Sequence, residues 1–215
     1  GLDRLLEAWD VDDQVAPRLR DALLDYIDHD DLRHLNGAES RDYERAGRPV
    51  PPNRRLLVPR EIDRVLGWDA IAAERREALA RVATTFYAGA VNLNFAPPEV
   101  LGLYLPSCRK DCAALLERRQ RQPFRSSNEL EAFAGDQLPG DALADYRFAP
   151  SDTLRLTLWG RSGAAWRIHV RLTPLADQRA PWSFLAAYPV ARPSLDEPPR
   201  PIDSALFADA TTGRR

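Results

Sequence analysis

The spacing of apolar residues changes once along the chain. Before residue 150 it recurs at helical intervals; after it, apolar and polar residues alternate. In "APRLRDALLDYI", Leu19, Leu23, Leu24 and Ile27 share a helical face and Pro17 suits the first turn, which predicts a helix over 16–27. "AGRPVPPNRRLLVP" is punctuated by prolines and predicts an extended surface connector over 46–59. "REIDRVLG" predicts a short helix over 60–67 with Gly67 just past its end. Residues 70–87 predict a longer amphipathic helix, with Ile71, Leu79, Val82 and Phe86 on one face.

Segment 91–135 predicts a compact helical-hairpin module. "VNLN" is a brief extended entry, and Pro97-Pro98 opens a helix through Tyr104. A turn is expected at Pro106-Ser107, then a second helix from about Lys110 to Arg121. Ser126 and Glu129 have capping-box spacing ahead of a third helix that Gly135 stops. Beyond Pro150 the period is 2. Leu154, Leu156, Leu158 and then Trp166, Ile168, Val170, Leu172 predict a β-hairpin turning through Gly160–Gly163. Its apolar face is expected to be buried, with Arg167, His169 and Arg171 facing water. "WSFLAAYPV", 182–190, is a third expected strand. The proline-rich segment 191–215 has little to bury and is expected to be disordered. The expected fold is α+β: a helical domain over 1–150 joined to a small antiparallel β-sheet over 151–190.

Composition narrows the field. The 215 residues are 44% hydrophobic and 29% charged with a net charge of −2, an ordinary globular balance without a broad positive field for nucleic acid. No apolar run approaches the roughly 18 residues of a membrane-crossing helix. There is no methionine, even at position 1, so the chain reads as a processed or shortened form from which an anchor could have been removed. Cys108 and Cys112 fit neither a zinc pattern nor a C-x-x-C redox motif. Two free thiols and one local disulfide are both open, and a disulfide would need a helix start or a turn between them.

The chemistry-bearing stretch is "DYIDHDDLRHLNGAES", the acidic turn within 25–42. With Asp28 as first ligand, Asp30 falls at position three and Glu39 at position twelve of a calcium loop. Arg33 stands where such a loop needs glycine, so this is not an EF-hand. A solvated acidic loop is the plain alternative. Crowded carboxylates still repel unless solvated or sharing a cation, and oxygen ligands favour calcium over zinc or copper. His29 and His34 flank the turn and read as surface histidines. Arg109, Lys110, Arg118, Arg119, Arg121 and Arg125 give 91–135 a basic stripe, as in DNA-binding helix-hairpin-helix modules. Its hairpin "LPSCRKDC" lacks the glycines that admit a phosphate. No nucleophile or phosphate-loop motif is present, so catalysis is not expected.

The order of motifs, "DYIDHDD", "NGAE", "PPNRRL", "REIDRVLG", "VNLNFAPPEVL" and "PFRSSNELEAF", closely resembles the type II secretion minor pseudopilin K family over about residues 20–135. The resemblance implies a pseudopilin sheet following an inserted helical domain, and a periplasmic protein anchored in the inner membrane. It implies a place at the pseudopilus tip with minor pseudopilins I and J, alongside other pseudopilus subunits and with secreted cargo or the secretin as further partners. No nucleic acid is expected. Calcium binding in that family implies a metal site here, with Asp28, Asp30, Asp31 and Glu39 as ligands and Asp25 and Asp42 in reserve.

Overall fold

The computed structural model describes residues 1–86, 89–141, 144–160, 165–174 and 180–190. The tail 191–215 and most of the turn expected at 160–163 lie outside the described residues. The helices are α1 (Leu2–Ala8), α2 (Ala16–Ile27), α3 (Ser40–Arg45), α4 (Ala73–Val82), α5 (Pro98–Tyr104), α6 (Pro106–Lys110), α7 (Ala113–Arg121) and α8 (Ser127–Ala134). The strands are β1 (Val91–Asn92), β2 (Tyr146–Arg147), β3 (Thr153–Trp159), β4 (Ala165–Leu172) and β5 (Trp182–Val190).

Two hydrophobic clusters organise the helices. Leu6, Leu19, Tyr26, Tyr43, Ile62, Val65 and Trp68 form one, drawn from α1 to the segment after α3. The Trp68 indole donates to the Leu19 carbonyl at 2.9 Å and the Leu66 N–H donates to the Tyr43 hydroxyl, so both aromatic polar ends are satisfied inside it. Leu93, Leu101, Leu105, Leu115, Phe124 and Leu130 centre the second. The short parallel pair β1–β2 closes this second unit, with Val91 opposite Tyr146 and Asn92 opposite Arg147.

Local chemistry explains where elements depart from the sequence expectation. Residues 59–64 form a 3-10 helix, and Gly67, left-handed at φ 86°, leads into a second 3-10 turn. α4 spans only 73–82 and buries none of its residues; Ile71 precedes it and Phe86 follows it. Its polar composition gives it little to press into a core, so it ends early. The expected turn at Pro106-Ser107 is instead α6, with Pro106 in its first turn. At Ser126 the hydroxyl accepts from the Glu129 N–H, as capping requires. The Glu129 carboxylate takes the Arg125 N–H rather than that of Ser126, so the box is not reciprocal. Cys108 and Cys112 are disulfide-bonded across the break between α6 and α7, where the Cα–Cα distance is 4.2 Å.

The sheet has the order β3-β4-β5, antiparallel throughout, with Leu156 opposite Ile168 and Ile168 opposite Ala187. Its burial departs from the expected pattern, although Val170 is buried and Arg171 exposed as alternation implies. Leu156, Leu158, Trp166, Leu172, Trp182 and Phe184 are exposed, Phe184 at 68%, whereas His169 is 1% exposed. The physical reason is the partner of the polar face. Arg155 donates to the carbonyls of Arg81, Val82 and Ala83, and Arg167 to that of Arg81, so two guanidiniums satisfy the end of α4. His169 lies between the rings of Phe86 and Tyr188 and hydrogen-bonds the Tyr188 hydroxyl at 3.0 Å.

Candidate functional site

The acidic turn is folded against α2 by the helix itself. Asp21 and Asp25, one turn apart, are both buried. Asp21 Oδ2 accepts the Asn36 backbone N–H at 3.1 Å and its side-chain amide at 3.0 Å. Burial alone would raise the Asp21 pKa, but these bonds from Asn36 outweigh it and the net direction is down. Asp25 Oδ1 accepts the His34 backbone N–H at 3.1 Å and also faces His34 Nδ1. That contact raises the His34 pKa, so the imidazole acts as a donor to Asp25. Gly37 is needed for proximity. A Cβ there would lie 1.9 Å from Asp25 Oδ2.

What remains is a set of buried oxygens without hydrogen-bond partners: Asp25 Oδ2, Asp28 Oδ1, both carboxylate oxygens of Glu39, and the Asn53 side-chain oxygen. Asp25 is fully buried and Glu39 is 4% exposed. Asp25, Asp28 and His34 each bring one donor atom within 4.8 Å of the others. Burial, then the charges of Asp25, Asp28 and Asp31, push the Glu39 pKa up to about 7. Asp28 is likewise raised, by burial and then by Asp30 and Asp25. Unpartnered buried carboxylate oxygens of this kind are costly, and a hard divalent cation is the group that satisfies several at once.

The expected ligands therefore fall in different places. Asp28 and Glu39 contribute unpartnered oxygens. Asp31 accepts the Ser40 N–H at 3.3 Å, which lowers its pKa, and its charge acts on Glu39. Asp30 turns its Oδ1 to the Leu32 N–H at 2.8 Å on the exposed side of the loop. Asp42 accepts the Glu39 N–H at the start of α3 and pairs with Arg45 at 3.0 Å. Asn53 was not legible as a site residue. It arrives from the proline-rich connector at φ 45°, donates to the Asp30 carbonyl at 2.7 Å, and its own carbonyl meets His29 Nδ1. The only sequence signal is the turn-forming Pro-Pro-Asn run.

The basic stripe of α7 is spent internally. Arg118 pairs with Glu129 at 2.7 Å, Arg121 pairs with Glu117, and Arg119 donates to the carbonyls of Leu93 and Ala96. Arg109 donates to the Gly102 carbonyl. Arg109, Arg118 and Arg119 link parts of the module, whereas the Arg121–Glu117 pair lies exposed on α7.

The chain is thus α+β, with the acidic turn in its helical part and a small antiparallel sheet after it. Residues 1–85 match the family model described as type II secretion system (T2SS), protein K. The fold agrees with a solved complex described as GspK-GspI-GspJ from the enterotoxigenic Escherichia coli type 2 secretion system. The TM-score is 0.59 at 17% identity, covering 87% of this chain and 68% of that one. Comparison with curated proteins finds no match.

Proposed function

We propose that this chain is the minor pseudopilin K subunit of a type II secretion pseudopilus, assembling at its tip with minor pseudopilins I and J to support protein export. The observation that carries this reading is the match of residues 1–85 to the protein K model, joined to a fold shared with a GspK chain solved in complex with GspI and GspJ. The uncovered apolar face of the sheet adds to it, since an exposed patch of Leu156, Leu158, Trp166, Trp182 and Phe184 marks an interaction surface. The role is structural rather than catalytic, with the helical bulk blocking addition of a further subunit above it. No helix among the described residues is long and apolar enough to cross a membrane. The reading makes the chain the periplasmic part of an inner-membrane-anchored protein.

The acidic turn is proposed as a calcium site. Asp25, Asp28 and Glu39 would hold the ion, with Asp31 beside them and the Asn53 oxygen as a neutral donor; the bound cation would neutralise carboxylates that burial has placed together. Sedimentation velocity of the chain with I and J tests the assembly reading. A heavier species is expected only when both partners are present, and no new species on mixing would overturn it. The same mixture in calcium and in chelator reports whether the ion matters for assembly.

A further inference from the structure

A cavity distinct from the acidic turn lies between the helices and the edge of the sheet, with a volume of about 710 Å³. Its walls differ in character. One is apolar and comes from α1, α2, α4, α5 and the segment near Trp68, through Leu5, Leu23, Ile62, Trp68, Leu79 and Leu103. The other carries polar groups from Arg147, Ser151, Thr153 and Arg155 in one stretch of chain, and Asn92, Thr84, Thr85 and His169 line the cavity as well. No aspartate or glutamate lines the cavity among the described residues. Arg155 sits beside Arg167, and both guanidiniums face carbonyls rather than carboxylates. Burial and the Arg167 charge lower the Arg155 pKa, which is the direction expected of a cation lacking a counter-charge.

Size separates two kinds of occupant. A helix about 10–12 Å across would fill 710 Å³ with only about 4–6 residues, less than two turns. Small-molecule sites of about 300–1,000 Å³, mostly apolar with a few convergent polar groups, match it directly. We propose that this cavity binds a single-chain anionic amphiphile, an acyl chain ending in a carboxylate, with the chain along the helical wall and the head group at Arg155.

The probe is dodecanoate below its micellar concentration, titrated into the 215-residue chain by calorimetry. Saturable binding is expected. Each methylene removed from the acid should weaken it about fourfold, and Arg155→Gln should weaken it at least tenfold while leaving dodecanol binding unchanged. Bromine-labelled dodecanoate should quench Trp68 in a variant whose Trp9, Trp159, Trp166 and Trp182 are phenylalanine. If that variant does not fold, the Arg155→Gln comparison decides alone. Equal binding of dodecyltrimethylammonium would overturn the proposal. So would saturable binding that leaves Trp68 unquenched, which places the ligand elsewhere, or an absence of saturable binding.

Discussion

Glu39→Gln separates the charge cost of the acidic turn from its use. In metal-free protein the Glu39 carboxylate is 4% exposed and shares its surroundings with Asp25, Asp28 and Asp31, and its pKa rises from 4.5 to about 7. Its contribution to stability is therefore fully present below pH 4.5 and is lost as pH rises through 7. At 1.36 kcal/mol per pKa unit, the loss by pH 8 is at most about 3 kcal/mol. Glutamine removes the charge and keeps the shape. In chelator at pH 8 the variant should melt higher than the wild type, by up to about 6–12 °C for a chain of this length. Calcium should act the other way. A site with Kd near about 10⁻⁴ M at millimolar calcium stabilises the wild type by about 1.4 kcal/mol, and Glu39→Gln should lose most of that gain. Scanning calorimetry in chelator and in calcium reads both effects. A variant that melts below the wild type in chelator, or a wild type with one melting temperature in both conditions, would refute the reasoning.

Three further outcomes follow from other parts of the molecule. His169 is buried beside Arg155 and Arg167, and its pKa falls from 6.5 to about 4; the stability it confers is present above pH 6.5 and lost as pH falls toward 4, up to about 3 kcal/mol. Because Glu39 has the opposite slope, urea titrations of Glu39→Gln and of Glu39→Gln with His169→Phe should differ in acid sensitivity; equal slopes would refute the assignment. Replacing Cys108 and Cys112 by serine opens a closure of sequence separation 4 and should lower stability by about 2 kcal/mol, measured by urea midpoint against the oxidised wild type. Double-stranded DNA should bind only weakly at physiological salt; micromolar affinity that falls when Arg118 and Arg119 become alanine would restore the helix-hairpin-helix alternative.

What was legible in the sequence was whatever local chemistry decides alone. α2 begins at its proline and ends at Ile27 as the spacing implies, and Gly135, left-handed at φ 73°, stops α8. β3 and β4 follow from alternation, and β5 falls at 182–190 where a third strand was expected. Alternation cannot say which face is covered, because that depends on a partner distant in sequence. The end of α4 needs donors for its carbonyls, and Arg155 and Arg167 supply them, turning the polar face inward. β2 was missed for the same reason, being two residues long and defined only by Val91 and Asn92. At the acidic turn, the run of carboxylates was visible. The burial of Asp25, the approach permitted by Gly37 and the arrival of Asn53 are tertiary facts.

The two hydrophobic clusters share no residue, and the second has its own disulfide and its own strand clasp at Val91 and Tyr146. The chain enters and leaves that unit at neighbouring positions, so residues 91–147 form a loop-like cassette whose ends are already joined. Damage should then stay where it occurs. A cavity made at Leu130 and one made at Ile62 should add in free energy, since the two side chains belong to different clusters. Such a chain tolerates sequence drift in one half without needing compensation in the other. The acidic turn and its helices can stay constrained while the disulfide-bonded half diverges in length and detail.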